Sequence, residues 1–223
     1  MSRLLTVTLS LLLGSCAALS GKHDSFVVYA PQLHMTAAES TTSTAKIDWQ
    51  LLIATPQASA ALDTRRIAIM TSPGVFEVYP DARWRDPAPA MLRSLLVQAF
   101  DQDSRVSGVS GIDSGLNGDY SLSMDLRDFQ IELVNGSAQA AIRFSAKLFD
   151  RRSNRIVASR SFSEDAPAAN SNVASAAEAF TNAIDQLMPK VVAWTIEQGQ
   201  VNRSHVVSGG KSNESSPLTR DNP

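Results

Sequence analysis

Cys16, the one cysteine of this 223-residue chain, is the residue whose position suggests covalent chemistry. An ionised thiol is a nucleophile that can be acylated, oxidised or bound to a metal. Because the chain has no second cysteine, neither an internal disulfide nor a thiolate zinc cluster can form. Modification of Cys16 is the chemistry that remains to be explained.

The residues before Cys16 have the layout of a secretory signal. A short start, Met1-Ser2-Arg3, precedes an apolar run over residues 4–13 and then small residues. The run has roughly 10 residues, too few for a transmembrane helix, which needs about 20. Leu13-Gly14-Ser15-Cys16 resembles a bacterial lipobox, in which the cysteine receives a diacylglyceryl group and the peptide is cut before it. We therefore predict a signal peptide over residues 1–15 and lipidation of Cys16. The alternative is a plain signal peptide with an incidental cysteine.

Constellations for catalysis or metal binding are missing from the sequence. The three histidines, His23, His34 and His205, fall in the predicted tether, linker and tail, where none is placed to act as a base or ligand. Asp125 and Asp128 are better explained as surface charges of a sheet than as a general acid and base. The chain has no glycine-rich loop followed by Lys-Ser/Thr. We predict no catalytic residues, no metal, no cofactor and no enzymatic activity.

The composition excludes one further class of partner and permits a compact fold. The net charge is −2 and no cluster of lysine and arginine offsets it, so nucleic acid is not expected as a partner. With 43% hydrophobic residues, the mature chain can form one globular domain with flexible ends.

Alternating apolar residues predict the strands. Residues 48–53, 66–70 and 75–79 have the composition of strands, and residues 26–31 that of a short edge strand. A three-strand meander is predicted at residues 120–133, 140–148 and 156–162, with a hairpin turn at Asn135-Gly136. The alternation changes phase at Arg127-Asp128, which predicts a β-bulge.

Two apolar stripes with helical spacing predict two helices. The first begins at about Pro87 after an N-cap at Asp86, and the second covers residues 173–194 with Pro189 inside it. The order of elements predicts an α+β fold, an antiparallel sheet with a three-strand meander and two helices packed on one face. We expect a lipidated tether or linker at 16–45, a domain at 46–198 and a disordered tail at 199–223.

Two stretches resemble the ABC-type transport auxiliary lipoproteins, DWQLLIATPQASAALDTRRIAIM (48–70) and VYPDARWRDPAPAMLRSLLVQAF (78–100). The segments DYSLSMDLRDFQIEL, RIVASRSF and AFTNAIDQLMPKVVAWT follow in the family's order, so the resemblance covers residues 46–198. It implies a non-catalytic accessory component of an MCE-type ABC lipid transport system. In such a system, the lipoprotein docks a periplasmic MCE-domain protein, the lipid conduit, at the outer membrane.

Alternative roles are a structural outer-membrane lipoprotein for envelope assembly and a lipid-binding carrier. The expected partners are the membrane, through the lipid anchor, and the periplasmic MCE-domain protein, with a homo-oligomer as a further candidate. The residue after the cysteine is Ala17 rather than the aspartate that retains lipoproteins in the inner membrane. We therefore expect the periplasmic face of the outer membrane in preference to the inner membrane.

The segment from Tyr79 to Asp86 is the part most recognisable from this resemblance, and we expect it to be a loop. Its candidate docking residues are Tyr79, Arg83, Trp84 and Arg85, because aromatic and arginine side chains are enriched at interface hot spots. The alternative is that Trp84 packs on the first turn of the helix and leaves the arginines at the surface.

Overall fold

The structure is a computed structural model that describes residues 25–34, 46–103 and 105–211. Within these ranges the chain forms nine strands, two α-helices and a short 3-10 turn at Ile112–Ser114. The strands are β1 (Val27–Tyr29), β2 (Ile47–Ile53), β3 (Gln57–Ala58), β4 (Arg66–Ser72), β5 (Val75–Trp84), β6 (Val106–Gly111), β7 (Tyr120–Val134), β8 (Ser137–Asp150) and β9 (Arg155–Pro167). The helices are α1 (Ala88–Asp103) and α2 (Val173–Lys211).

Strand β7 organises the sheet because it pairs along both of its edges. On one edge, β7, β8 and β9 form the predicted antiparallel meander. On the other edge, β2, β3 and β4 pair in turn with β7, each in parallel. Strand β5 is antiparallel to β4, while β1 and β6 lie parallel to β5 and β2. The α+β class is confirmed. The sheet is mixed rather than antiparallel throughout, because alternation of apolar residues predicts strands but not the direction of their partners.

The predicted bulge in β7 is confirmed. Leu126 pairs with Phe144 and Asp128 pairs with Arg143, so Arg127 is the extra residue. An extra residue returns the alternation to the same face, and apolar side chains on both sides of the bulge are therefore buried. The hairpin after β7 turns at Asn135 and Gly136, whose φ values of 51° and 80° suit a two-residue turn.

Both helices pack on one face of the sheet and share one core with it. The predicted apolar stripe of α1 is buried, at Ala88, Met91, Leu92, Leu95, Leu96, Ala99 and Phe100. Helix α2 contacts β8, β9 and α1. Pro189 lies inside α2, as predicted.

The predicted disorder after residue 198 is wrong as far as Lys211, where α2 ends. Gly199 in this helix accepts a hydrogen bond from the Tyr120 hydroxyl at 3.1 Å. Asn202 Nδ2 lies 3.2 Å from Asp150 Oδ2, and an Arg203 guanidinium nitrogen lies 2.9 Å from Asp48 Oδ2. These contacts are polar, so a search for apolar periodicity does not detect them. The tail beyond Lys211 lies outside the described residues.

Part of the predicted linker belongs to the folded domain. Strand β1 pairs with β5, and Leu33 is buried in the core. The backbone N–H of His34 donates to Asp185 Oδ1 in α2 at 2.7 Å. Residues 25–34 therefore join both the sheet and a helix, because a few apolar residues suffice to attach a short strand to an existing edge.

Replacing Gly199 with alanine should destabilise the protein. A Cβ at this position would lie 2.7 Å from Cζ2 of the buried Trp49 ring. Glycine to alanine inside a helix ordinarily stabilises by about 1 kcal/mol, but overpacking a core costs about 1–3 kcal/mol, so the clash should decide the sign. Urea unfolding measures the difference. Gln200→Ala, at an exposed position of the same turn, is the control for helix propensity. A G199A variant more stable than wild type would contradict the close contact.

Candidate functional site

The predicted lipidation site, Cys16, and the predicted signal peptide lie outside the described residues. The described chain begins at Ser25, two residues before β1. Lipidation of Cys16 therefore remains a prediction from the sequence.

Most of the segment predicted as a loop, from Tyr79 to Trp84, is instead the second half of β5. Ala68 pairs with Val78, but Arg66 pairs with Arg83, so five steps along β5 oppose two steps along β4. The surplus residues form a bulge that contains Pro80, and Asp81 in it has a φ of 54°. A proline is compatible with a strand at such a bulge, where no ladder hydrogen bond is needed from it. The sequence prediction treated Pro80 as the end of a strand and was wrong for this reason.

Trp84 is a core residue and is not accessible to a partner. Its side chain is 1% exposed, and its ring meets Phe180 at 5.1 Å and Phe129 at 5.9 Å in edge-to-face contacts. The packing interpretation therefore holds for Trp84, although its partners are in α2 and β7 rather than in the first turn of α1. Its place among the candidate docking residues is corrected accordingly.

Tyr79 lies at the margin of the core. It is partly buried against the main cluster, and burial raises the pKa of its hydroxyl. Within the described ranges, the hydroxyl has no hydrogen-bond partner.

Arg83 and Arg85 flank Trp84 and remain at the surface, because successive side chains of an extended chain point to opposite sides. The Arg83 guanidinium lies 3.2 Å from the centroid of the Phe26 ring, a cation–π contact with the segment before β1. Arg85 Nε donates to Asp86 Oδ2 at 2.9 Å, and an Arg65 nitrogen lies 3.9 Å from the other oxygen of this carboxylate.

A fourth arginine, Arg66, is the direct partner of Arg83 in the neighbouring strand. Among the described residues, neither Arg66 nor Arg83 has an ion pair. Residues 65, 66, 83 and 85 thus place four guanidinium groups at one end of the sheet. Arg65 and Arg66 were not predicted from the sequence, because the pairing of β4 with β5 that brings them beside Arg83 leaves no local pattern.

The predicted capping role of Asp86 is wrong. Helix α1 begins at Ala88, and the N–H of Met91 donates to the carbonyl of Pro87 at 3.0 Å, so Pro87 is the cap. The Asp86 carboxylate is held by Arg85 instead.

A groove open to solvent is formed by the β4–β5 hairpin and the turn before β4. It has a volume of about 510 Å³ and is lined by Ala60, Ala61, Thr64, Arg66, Ala68, Phe76, Glu77 and Val78. Its lining combines apolar side chains with the charges of Arg66 and Glu77.

The two aspartates that flank the bulge are held in ion pairs, as expected for surface charges of a sheet. Asp125 Oδ2 lies 3.2 Å from Lys147 Nζ. Asp128 Oδ2 lies 3.6 Å from Arg143 Nη1, and the same arginine contacts Glu132 at 2.7 Å and Asp165 at 2.8 Å. Arg143 therefore joins three strands on the outer face of the meander.

No cluster of three or more histidine, cysteine, aspartate or glutamate side chains in residues 25–34, 46–103 and 105–211 could hold a metal ion. Across the same ranges, no helix has the length and apolar character required to cross a bilayer.

A family model described as the ABC-type transport auxiliary lipoprotein component matches residues 32–192, which is more than half of the chain. No curated protein matches. The crystal structure of protein XCC0632 from Xanthomonas campestris, of family DUF330, is similar at 32% identity and a TM-score of 0.73, over 80% of this chain and 99% of that one. An uncharacterised protein of known structure is similar at 14% identity and a TM-score of 0.59, over 76% of this chain and 97% of the other, a likeness of fold alone.

Replacing Arg143 with methionine should destabilise the protein more at neutral pH than at acidic pH. Burial by itself would raise the pKa of Glu132, but the hydrogen bonds and charge of Arg143 outweigh it and lower that pKa. A carboxyl group whose pKa is lower in the folded state than in the unfolded state stabilises the fold at pH values above the unfolded-state pKa, which is about 4.3 for glutamate. This stability is lost as the pH falls through the folded-state pKa. Without Arg143, burial should raise the pKa of Glu132, and the variant should lose about 2 kcal/mol near neutral pH.

The deficit of R143M should shrink as the pH falls toward about 4.3, where the buried carboxyl accepts a proton. Urea unfolding at neutral and acidic pH measures it. The matched control is Glu132→Gln combined with R143M, which removes the buried charge and should recover part of the loss at neutral pH. A deficit equal at both pH values would contradict this account.

Proposed function

The chain belongs to the ABC-type transport auxiliary lipoprotein component family, and from this membership we propose that it is a non-catalytic envelope lipoprotein serving an MCE-type ABC lipid transport system. In this proposal it is anchored through Cys16 to the periplasmic face of the outer membrane. There it docks a periplasmic MCE-domain protein that carries lipid.

The observation that carries the proposal is the family match over residues 32–192, in a chain whose one cysteine ends a signal-like segment. A transport auxiliary lipoprotein needs an anchor and a folded domain that can bind other components, and the sequence supplies a candidate for the first. Ala17 after the cysteine supports the outer membrane as the location, because it is not the aspartate of inner-membrane retention.

The packing between sheet and helices favours docking over the alternative role of a lipid-binding carrier. Large side chains fill this space, among them Trp84, Phe129 and Phe180, which are in ring contact with one another. The groove of about 510 Å³ is open to solvent, and no residue of either helix lines it. Of the four candidate docking residues, Arg83 and Arg85 are accessible, and we propose that they form part of a docking surface.

Replacing Cys16 with serine should abolish lipid attachment and release the protein from the membrane or leave it unprocessed. Three acyl chains give essentially permanent anchoring, since each buried methylene contributes about 0.8 kcal/mol. Radioactive palmitate labelling of cells tests this, with Ser15→Ala as a neighbouring control that keeps the thiol. Label retained by the C16S variant would contradict lipidation at Cys16.

Co-purification tests the proposed transport role. We expect the full lipidated protein, extracted in mild detergent, to retain an MCE-domain protein from its own envelope. The control is an unrelated outer-membrane lipoprotein with the same tag. Absence of any MCE-domain protein from the specific fraction, together with a gene that lies apart from an ATPase, a permease and an MCE protein, would contradict the proposal and favour a structural envelope role.

A further inference from the structure

Exposed apolar side chains gather along one edge of the sheet. Ten large apolar residues are exposed in the described ranges, and five of them belong to β1 and β5, namely Val27 (57%), Val28 (60%), Val75 (46%), Phe76 (48%) and Val78 (44%). Strand β1 covers only residues 82–84 of β5, so the first part of β5 itself forms the edge. These residues form two groups, one at each end of β5, and exposed apolar groups beside charged side chains are typical of a site of protein or membrane contact.

The chain reaches the domain at this same edge. Ser25 and Phe26 lead directly into β1, and only eight residues, 17–24, separate them from Cys16. Eight residues span at most about 28 Å even when fully extended. A folded domain of this length has a radius of gyration of about 16 Å and hence a diameter of about 40 Å, so its far side lies beyond the reach of eight residues.

The arginines complete this surface. Arg83 and Arg85 lie beside β1, with Arg65 and Arg66 in the adjoining strand and turn. Asp86 offsets part of their charge, and β5 also carries Glu77 and, two residues before Arg83, Asp81. Arginine can place its apolar stem against a lipid interface and its guanidinium among the phosphates. Near an anionic bilayer, each arginine contributes about a fivefold preference.

We propose that the β1–β5 edge rests on the bilayer surface, with Val28 and Phe76 at the boundary between headgroups and acyl chains and with Arg83 and Arg85 against lipid phosphates. This inference rests on the proposed lipidation of Cys16. It assigns lipid as the binding partner of the surface formed by Arg65, Arg66, Arg83 and Arg85. Lipid is favoured over a protein partner because the tether holds this edge near the bilayer. Protein partners would then bind the sides of the domain that face the periplasm.

Single cysteines introduced at surface positions test the contact. The mature lipidated protein is placed in nanodiscs of phosphatidylethanolamine and phosphatidylglycerol, and mass spectrometry establishes that Cys16 carries its acyl groups. A fluorophore is attached to Val28→Cys, Phe76→Cys or, as the matched control, Ile156→Cys. Ile156 is exposed to a similar extent on β9, at another edge of the sheet. Lipids with a nitroxide on the headgroup quench a fluorophore that touches the bilayer.

We expect quenching at positions 28 and 76 and none at 156. Exchange of phosphatidylglycerol for phosphatidylcholine should weaken the quenching at 28, because the arginines lose their anionic partner. Equal quenching at all three positions, or none at 28 and 76 in acylated protein, would overturn the inference and leave lipidation intact. Fluorophores at 28 and 76 that respond only when an MCE-domain protein is added would assign this edge to a protein partner instead. An unmodified Cys16 would overturn the lipidation itself, and this inference with it.

Discussion

The extra residue in β7 is the constraint on which the rest of the structure depends. A strand of 15 residues that alternated without interruption would turn its second half away from the helices. The bulge at Arg127 prevents this, so that Phe129 reaches Phe180 of α2 and Trp84 of β5. The other edge of β7 pairs with β2, β3 and β4. The bulge therefore lets the meander and these parallel strands bury their apolar side chains in one core.

A bulge interrupts the ladder and leaves a backbone donor without its strand partner, and this chain supplies the replacement from within β7. The N–H of Phe129 donates to Oε1 of Gln130, whose side chain is completely buried. Gln130 Nε2 donates in turn to Asp128 at 2.9 Å and to Glu132 at 3.2 Å, and Arg143 binds both carboxylates. The polar network on the outer face thus satisfies the groups that the bulge exposes, since an unpaired buried donor would cost about 1–3 kcal/mol.

Apolar spacing predicted the features that depend on burial alone. The stripes of both helices, the meander and the bulge at Arg127 follow from which residues avoid water, and each was found. Polar contacts and strand partners do not follow from it. The last turns of α2 are held by Asn202 and Arg203, whose partners are far away in sequence, and the β5 bulge allows Pro80 to lie inside a strand. Arg66 joins the arginine surface only because β4 pairs with β5, which no local pattern records.

For Arg83-Trp84-Arg85, a docking surface and a packed tryptophan are compatible, because they involve different side chains. Successive side chains of a strand point to opposite faces, so the residue between two exposed arginines can be a core residue. Here Trp84 enters the core beside Phe180, while the N–H of Arg85 donates to the carbonyl of Tyr29 at 2.8 Å. Strand β1 is therefore hydrogen-bonded to the strand that carries Trp84, a residue in ring contact with both β7 and α2. Through this pairing the first described residues of the chain join the same core that the bulge in β7 makes possible.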